Sequence, residues 1–298
     1  MMTNCRLCPR NCGAVRGETG AGVCRSGERP VIARAAPHFG EEPCISGERG
    51  SGTVFFSGCN LGCVFCQNQA ISRESVGEGM DIPAFRDMLL RLAQRGVHNI
   101  NLVTPTHFTA FVAEALGGFE PGVPVCWNSS GYESPESLRA LEGKVAVYMP
   151  DFKYGLGSIA ARYAHAPDYP AVAKRAILEM YRQTGPYVLD ESGMLRRGVL
   201  IRHLVLPGDP ENSFEVIDWV AETFPPGSVL FSLMSQYTPV AETPYPELQR
   251  TLRDEEYARV RAYMEAAGIL DGFYQEKASA TGEMIPEFDG TGVWPKER

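Results

Sequence analysis

The stretch TVFFSGCNLGCVFCQNQ, residues 53–69, decides how this chain is read. Its opening, Thr53 to Ser57, is β-branched and aromatic and carries no charge, the composition of a buried strand. A loop follows with Cys59, Cys63 and Cys66 in the spacing C-x3-C-x2-C. Thiolates are soft ligands suited to iron–sulfur clusters. A cube of four irons takes a ligand on each iron and normally receives four cysteines. Three close thiolates without an adjacent fourth predict a cluster with one iron left free for another molecule.

Outward from this loop the pattern alternates. Residues 83–95 have helical periodicity, with Pro83 near the start and Gly96 just after the end. Strands are expected at 99–103, 123–128, 144–149, 198–206 and 228–234. Helical segments fall at 106–116, from about Pro135, through 157–184, at 211–224 and at 254–267, the last ended by Gly268. A small hairpin is expected over 187–197, around Glu191, Ser192 and Gly193. Repeated strand–helix alternation implies an α/β fold with a parallel sheet and covering helices. Flat doubly wound and incomplete-barrel closures both satisfy it. In either, ligands bind at the C-terminal ends of the strands, where the cysteine loop lies.

The chain has 298 residues and is 44% hydrophobic, enough for a sizeable core. A net charge of −8 argues against nucleic acid or an anionic membrane as a partner held by bulk charge. No apolar run is long enough for a membrane span, and the N-terminus MMTNCRLCPRNC has no secretory pattern. The expected location is therefore cytoplasmic, where nine cysteines read as metal ligands or reactive thiols rather than disulfides.

Residues 1–50 are rich in Cys, Gly, Arg and Pro and show little apolar periodicity. They read as a Cys-rich metal-binding extension ahead of a domain spanning 51–298. Cys5, Cys8, Cys12 and Cys24 supply four thiolates, a set that holds structural zinc or an iron–sulfur cluster. Cys44 and Cys126 stand apart and read as buried small residues, with a spare metal ligand as the alternative for Cys44.

The Cys59-x3-Cys63-x2-Cys66 loop after the first strand, with Phe65 before its last cysteine, resembles the signature of radical S-adenosylmethionine enzymes. Over most of residues 50–298 the chain is similar to the activating enzymes of glycyl-radical enzymes, near pyruvate formate-lyase activating enzyme. The phrases ISGERGSGTVFFSGCNLGCVFCQN, NLVTPTHF, WNSSGYE and HLVLPG carry that likeness. The resemblance implies an incomplete (β/α)6 barrel of TIM type and a 4Fe-4S cluster on Cys59, Cys63 and Cys66. It implies that S-adenosylmethionine bound at the free iron is cleaved by one electron to methionine and a 5′-deoxyadenosyl radical.

The resemblance also implies where the cofactor lies. The family's Gly-Gly-Glu stretch is replaced here by Val103-Thr104-Pro105-Thr106-His107, leaving Thr104 and Thr106 as acceptors and His107 either beside them or at a plain helix start. Asn128 and Ser129 end the third strand; Asp151 and Lys153 follow the fourth. In the family these strand ends bind S-adenosylmethionine and a monovalent cation beside its carboxylate. Carried across, the cation ligands are Asn128, Ser129, the Met149 carbonyl and Asp151; Asn128 stands where the family often has a carboxylate. His203 either faces the cofactor or packs in the core, and Gln236 and Tyr237 line the substrate cleft or an ordinary loop.

The function these residues imply is generation of the radical for hydrogen abstraction, with a glycyl-radical enzyme or another protein or peptide as substrate. A low-potential donor such as flavodoxin or ferredoxin would supply the electron. A metabolite-directed radical enzyme is the alternative within the class. A non-enzymatic electron-transfer or zinc-binding module is the alternative outside it, and the long βα array with polar strand ends argues against that.

Overall fold

The computed structural model describes residues 4–17, 20–239, 243–275 and 286–295. Its strands are β1 (Val31–His38), β2 (Ser51–Phe56), β3 (Glu78–Gly79), β4 (Ile100–Val103), β5 (Val125–Ser129), β6 (Val147–Pro150), β7 (Val188–Leu189), β8 (Leu195–Leu204), β9 (Leu230–Met234) and β10 (Gly272–Tyr274). They form one sheet in the order β10-β9-β8-β6-β5-β4-β2-β1-β3, with β7 paired to β8. All neighbours from β2 through β10 along that path are parallel. The fold is thus mixed α/β around a large parallel sheet, and each strand expected from Thr53 onward is present.

The helices are α1 (Pro43–Ser46), α2 (Gln69–Ser72), α3 (Ile82–Ala93), α4 (Thr109–Ala115), α5 (Pro135–Arg139), α6 (Gly157–Ala164), α7 (Tyr169–Thr184), α8 (Pro210–Thr223) and α9 (Asp254–Ala266). In α3, Asp81 caps the start by accepting from the Ala84 amide, and Phe85, Met88, Leu89 and Leu92 form the buried stripe. The expected hairpin is β7–β8.

Period-two alternation gives the sheet two different faces. Leu102, Trp127, Tyr148, Ile201 and Phe231 join the large core with the longer helices. Cys126, Val147, Met149, Leu200 and Leu230 point the other way and meet Cys44 and Ile45 of α1. On that second face the next positions toward the C-terminal strand ends are Asn128, Asp151, Arg202 and Ser232. An apolar layer thus gives way to a polar one.

Three strands toward the sheet's two ends, β1, β3 and β10, escaped the sequence reading. β1 pairs antiparallel with β2, so the sheet begins at Val31, ahead of residue 50. Its buried residues include Ala33, Ala35 and Ala36, too small to mark a strand by hydrophobic pattern. β10 is only Gly272–Tyr274. Among the described residues no helix is long and apolar enough to cross a membrane.

Candidate functional site

The loop after β2 begins at Gly58, whose φ is +84°. A β-carbon there would lie 2.6 Å from the Cys24 carbonyl oxygen and 2.4 Å from the Ser26 hydroxyl. Glycine is therefore required by both conformation and contact. The loop sends Cys59, Cys63 and Cys66 into one cavity of about 230 Å³ at the C-terminal strand ends. No fourth cysteine lines it among the described residues.

Burial pushes the Cys59 and Cys63 thiols up, Cys63 to about 12, and the other two sulfurs add to the rise at Cys63. Lys153 and a hydrogen bond from Tyr154 act in the opposite sense on Cys63. The Tyr154 hydroxyl donates to the Cys63 sulfur at 3.1 Å, and the Leu61 amide donates to Cys59 at 3.4 Å. Donors are thus already directed at sulfur. Among the described residues no three His, Cys, Asp or Glu side chains converge closely enough to share a single ion. Three soft thiols around one cavity fit a cluster in which each binds its own iron.

Around the same mouth lies a charged network that the sequence reading did not identify. Arg202 donates from Nε to Asp151 Oδ1 at 2.9 Å, from Nη1 to Glu41 Oε2 at 2.8 Å and from Nη2 to Asn128 Oδ1 at 2.6 Å. Glu41 also accepts from Asn101 and Asn128. Lys153 donates to the other Asp151 oxygen at 2.6 Å. Burial raises the Asp151 carboxyl, but the Arg202 and Lys153 charges outweigh it and hold the group below its ordinary value. Beside Glu41 the Glu42 carboxyl is buried, and that burial raises it against the pull of Arg202.

Asn128, Ser129, Asp151, Lys153, Thr104, Phe65 and Gln236 all line the cavity. Thr104 has φ +59°, rare for a β-branched residue, and its amide donates to the Asn128 carbonyl. Phe65 stands edge-on to Tyr154, Tyr163 and Tyr237. Tyr237 itself is buried behind it and donates to the Leu248 carbonyl.

Other expected positions lie elsewhere. Thr106 is buried and donates to Glu133, which also accepts from Trp127 and Ser129. His107 hydrogen bonds the Ser57 carbonyl through Nε2, and burial lowers it to about 4. His203 bonds the Phe152 carbonyl and the Ser213 hydroxyl through its two ring nitrogens; burial likewise lowers it to about 4. It is a core histidine. The three side chains expected to ligate a cation are otherwise engaged: the oxygens of Asn128 and Asp151 accept from Arg202, and the Ser129 hydroxyl donates to Glu133. The local reason is that a guanidinium two residues beyond Leu200 reaches those oxygens first.

The N-terminal cysteine segment docks on the Cys59–Cys66 loop. Cys8 is near Cys5 and Cys24, whose charges would raise it further, and takes a hydrogen bond from Asn60. Cys12 is exposed, its thiol lowered chiefly by the Ala14 amide. Arg10 grips the Asn60 and Leu61 carbonyls of the loop and the Ala164 and His165 carbonyls at the end of α6.

Fold and site together define an α/β protein with a three-thiol mouth at the C-terminal end of a parallel sheet. No family model matches the chain. The uncharacterized protein MJ0674 of Methanocaldococcus jannaschii is 30% identical over 263 residues, covering 85% of this chain and 72% of that one. The chain belongs to the family of that protein. Among solved structures, SuiB of Streptococcus suis bound to S-adenosylmethionine matches with a TM-score of 0.50 and 14% identity, over 78% of this chain and 52% of SuiB. This chain spans about half the length of SuiB, and the likeness shows a shared fold. A domain of pyruvate-formate lyase-activating enzyme from Bacteroides vulgatus matches over 65% of this chain and 91% of its own, at 12% identity. Its TM-score of 0.39 carries no argument.

Proposed function

We propose that the protein is a radical S-adenosylmethionine enzyme. The observation that carries this reading is the single cavity lined by Cys59, Cys63 and Cys66, without a fourth cysteine, beside Thr104, Asn128, Asp151 and Lys153. Cys59, Cys63 and Cys66 would hold a 4Fe-4S cluster, and the strand ends would hold S-adenosylmethionine. When bound, these groups supply a 5′-deoxyadenosyl radical through one-electron cleavage of the sulfonium. The chain's part is to bind, orient and exclude water. Lys153 and Arg202 put positive charge at the mouth, suited to a carboxylate. Val103, Leu204 and Met234 give it an apolar lining against solvent.

The finer reading is that of an activating enzyme for a glycyl-radical protein, working in the cytoplasm with flavodoxin or ferredoxin as donor. The open parallel sheet corresponds in this reading to an incomplete (β/α)6 barrel. Cys5, Cys8, Cys12 and Cys24 would hold a second metal, zinc or iron–sulfur. SuiB, which shares the fold, was solved with S-adenosylmethionine, and this supports the cofactor assignment.

The test is anaerobic reconstitution with iron and sulfide, then reduction in the presence of S-adenosylmethionine. 5′-Deoxyadenosine is expected, and Cys59→Ala, Cys63→Ala or Cys66→Ala should each abolish it. Unimpaired cleavage in all three variants would refute the radical reading.

A further inference from the structure

Among the described residues Arg202 is the one arginine that lines the cavity. Its side chain is only 12% exposed, and Asp151 and Glu41, its two closest carboxylates, are 15% and 10% exposed. A guanidinium carries five N–H donors in a rigid plane. Here its three nitrogens each take a different acceptor, on Glu41, Asn128 and Asp151. Those acceptors come from the segment after β1, from the end of β5 and from just beyond β6. The main chain adds to the link, since Asp151 and Arg202 form a parallel bridge and the Phe152 amide donates to the Arg202 carbonyl.

The resembled enzymes place a monovalent metal ion at these strand ends, beside the carboxylate of S-adenosylmethionine. Two of the oxygens that would ligate it here belong to Asn128 and Asp151, and both already accept from Arg202. Lys153 and Arg202 face Asp151 and Glu41, and Glu42, a third carboxylate 3.9 Å from Arg202, is pushed by burial toward its neutral form. An entering ion would have to displace a guanidinium held by two carboxylates, leaving a buried cation without its partners.

We propose that Arg202 is the resident cation of this site, a positioning residue that ties three strand ends together and offers positive charge to the carboxylate of an amino-acid ligand, with no metal ion required. The identity of that ligand rests on the S-adenosylmethionine reading. The cation-independence of the site does not. It sets this chain apart from the metal-dependent pattern of the enzymes it resembles.

Two measurements test this. The first is calorimetric binding of S-adenosylmethionine to the reconstituted protein in potassium, sodium or tetramethylammonium chloride at equal ionic strength. Equal affinity in the three salts is expected. A loss of about tenfold or more in tetramethylammonium, the loss of one charge-assisted contact, would overturn the proposal. Absence of binding in all three salts would reject the ligand reading, and the second measurement then decides the cation question.

That second measurement is thermal unfolding of the unloaded protein in the same salts. Wild type should melt alike in all three, and Arg202→Ala should be rescued by potassium. Specific stabilisation of wild type by potassium would overturn the proposal. Should Arg202→Ala fail to fold, Arg202→Lys keeps the charge, and it is expected to fold and melt alike in the three salts. A potassium requirement in that variant would count against the proposal.

Discussion

Tyr154 donates its hydroxyl to the Cys63 sulfur from a fully buried position, while its ring packs on Phe65 and Tyr169. Hydrogen bonds to cluster sulfurs are among the levers that set reduction potential, because they stabilise the more negative reduced state. Tyr154→Phe keeps the ring and removes the donor. Reconstituted with the proposed cluster, the variant should retain its iron content, and its midpoint in an EPR-monitored titration should move to more negative potential. An unchanged midpoint would show that the hydroxyl does not act on the cluster. A second prediction concerns His203, which burial lowers to about 4 from an ordinary 6.5. Such a group stabilises the fold fully above pH 6.5, because the unfolded chain takes up a proton that the folded one refuses. That contribution is lost as pH falls toward 4. The stability advantage of wild type over His203→Gln should therefore shrink by roughly 3 kcal/mol between pH 7 and 4, read by urea unfolding. His203 and Arg202 also show how narrowly the sequence can mislead. Adjacent strand residues face opposite ways. Counting in twos from Leu200 leads to Arg202 and then Leu204 at the cavity, while His203 falls on the face covered by α8. A charged residue inside the apolar run GVLIRHLVL was the available signal.

At the scale of elements, the N-terminal segment works as a brace on the cysteine loop. None of residues 4–17 or 20–30 joins a hydrophobic cluster. Its order comes instead from polar contacts with the α/β domain, Arg10 to four carbonyls, Arg16 to the His107 carbonyl, and the Leu7 carbonyl receiving Ser137. A planar guanidinium can serve the loop and the end of α6 together, whereas an ammonium is a single point of contact. Arg10→Lys should therefore cost about 2 kcal/mol of global stability and loosen the loop more than the sheet. Hydrogen exchange should show faster exchange at 58–66 than at β4 or β5. Equal protection in variant and wild type would remove the brace. The cysteine spacings in this segment were legible from sequence, and so was its lack of a core. Its docking was not, because arginine-to-carbonyl contacts leave no periodic trace. Even Gly58, quoted within the decisive stretch, shows its purpose only when the Cys24 carbonyl is seen beneath it.

Across the whole molecule, the parallel strands were readable because each is a short apolar run with its own helix. The charged layer they carry was not, because its parts are scattered along the chain: Glu41 and Arg202 lie 161 residues apart. Glu41 leaves the turn after β1 in a segment of weak pattern, yet it connects β4, β5 and β8 through Asn101, Asn128 and Arg202. It joins the segment after the antiparallel strand β1 to the mouth, so its loss should be felt globally. Removing one member of a buried ion pair strands the other, at a cost of about 3–5 kcal/mol. Glu41→Ala should lose about that much in urea unfolding, since it leaves Arg202 hydrogen bonded to Asp151 as its one carboxylate acceptor, with Glu42 3.9 Å away. The double variant Glu41→Ala/Arg202→Met removes the stranded charge as well. It should be less destabilised than the sum of the single changes, with a coupling energy of about 1–3 kcal/mol. Simple additivity would mean that the two groups stabilise the fold independently, and the charged layer would then be a set of neighbours rather than one network.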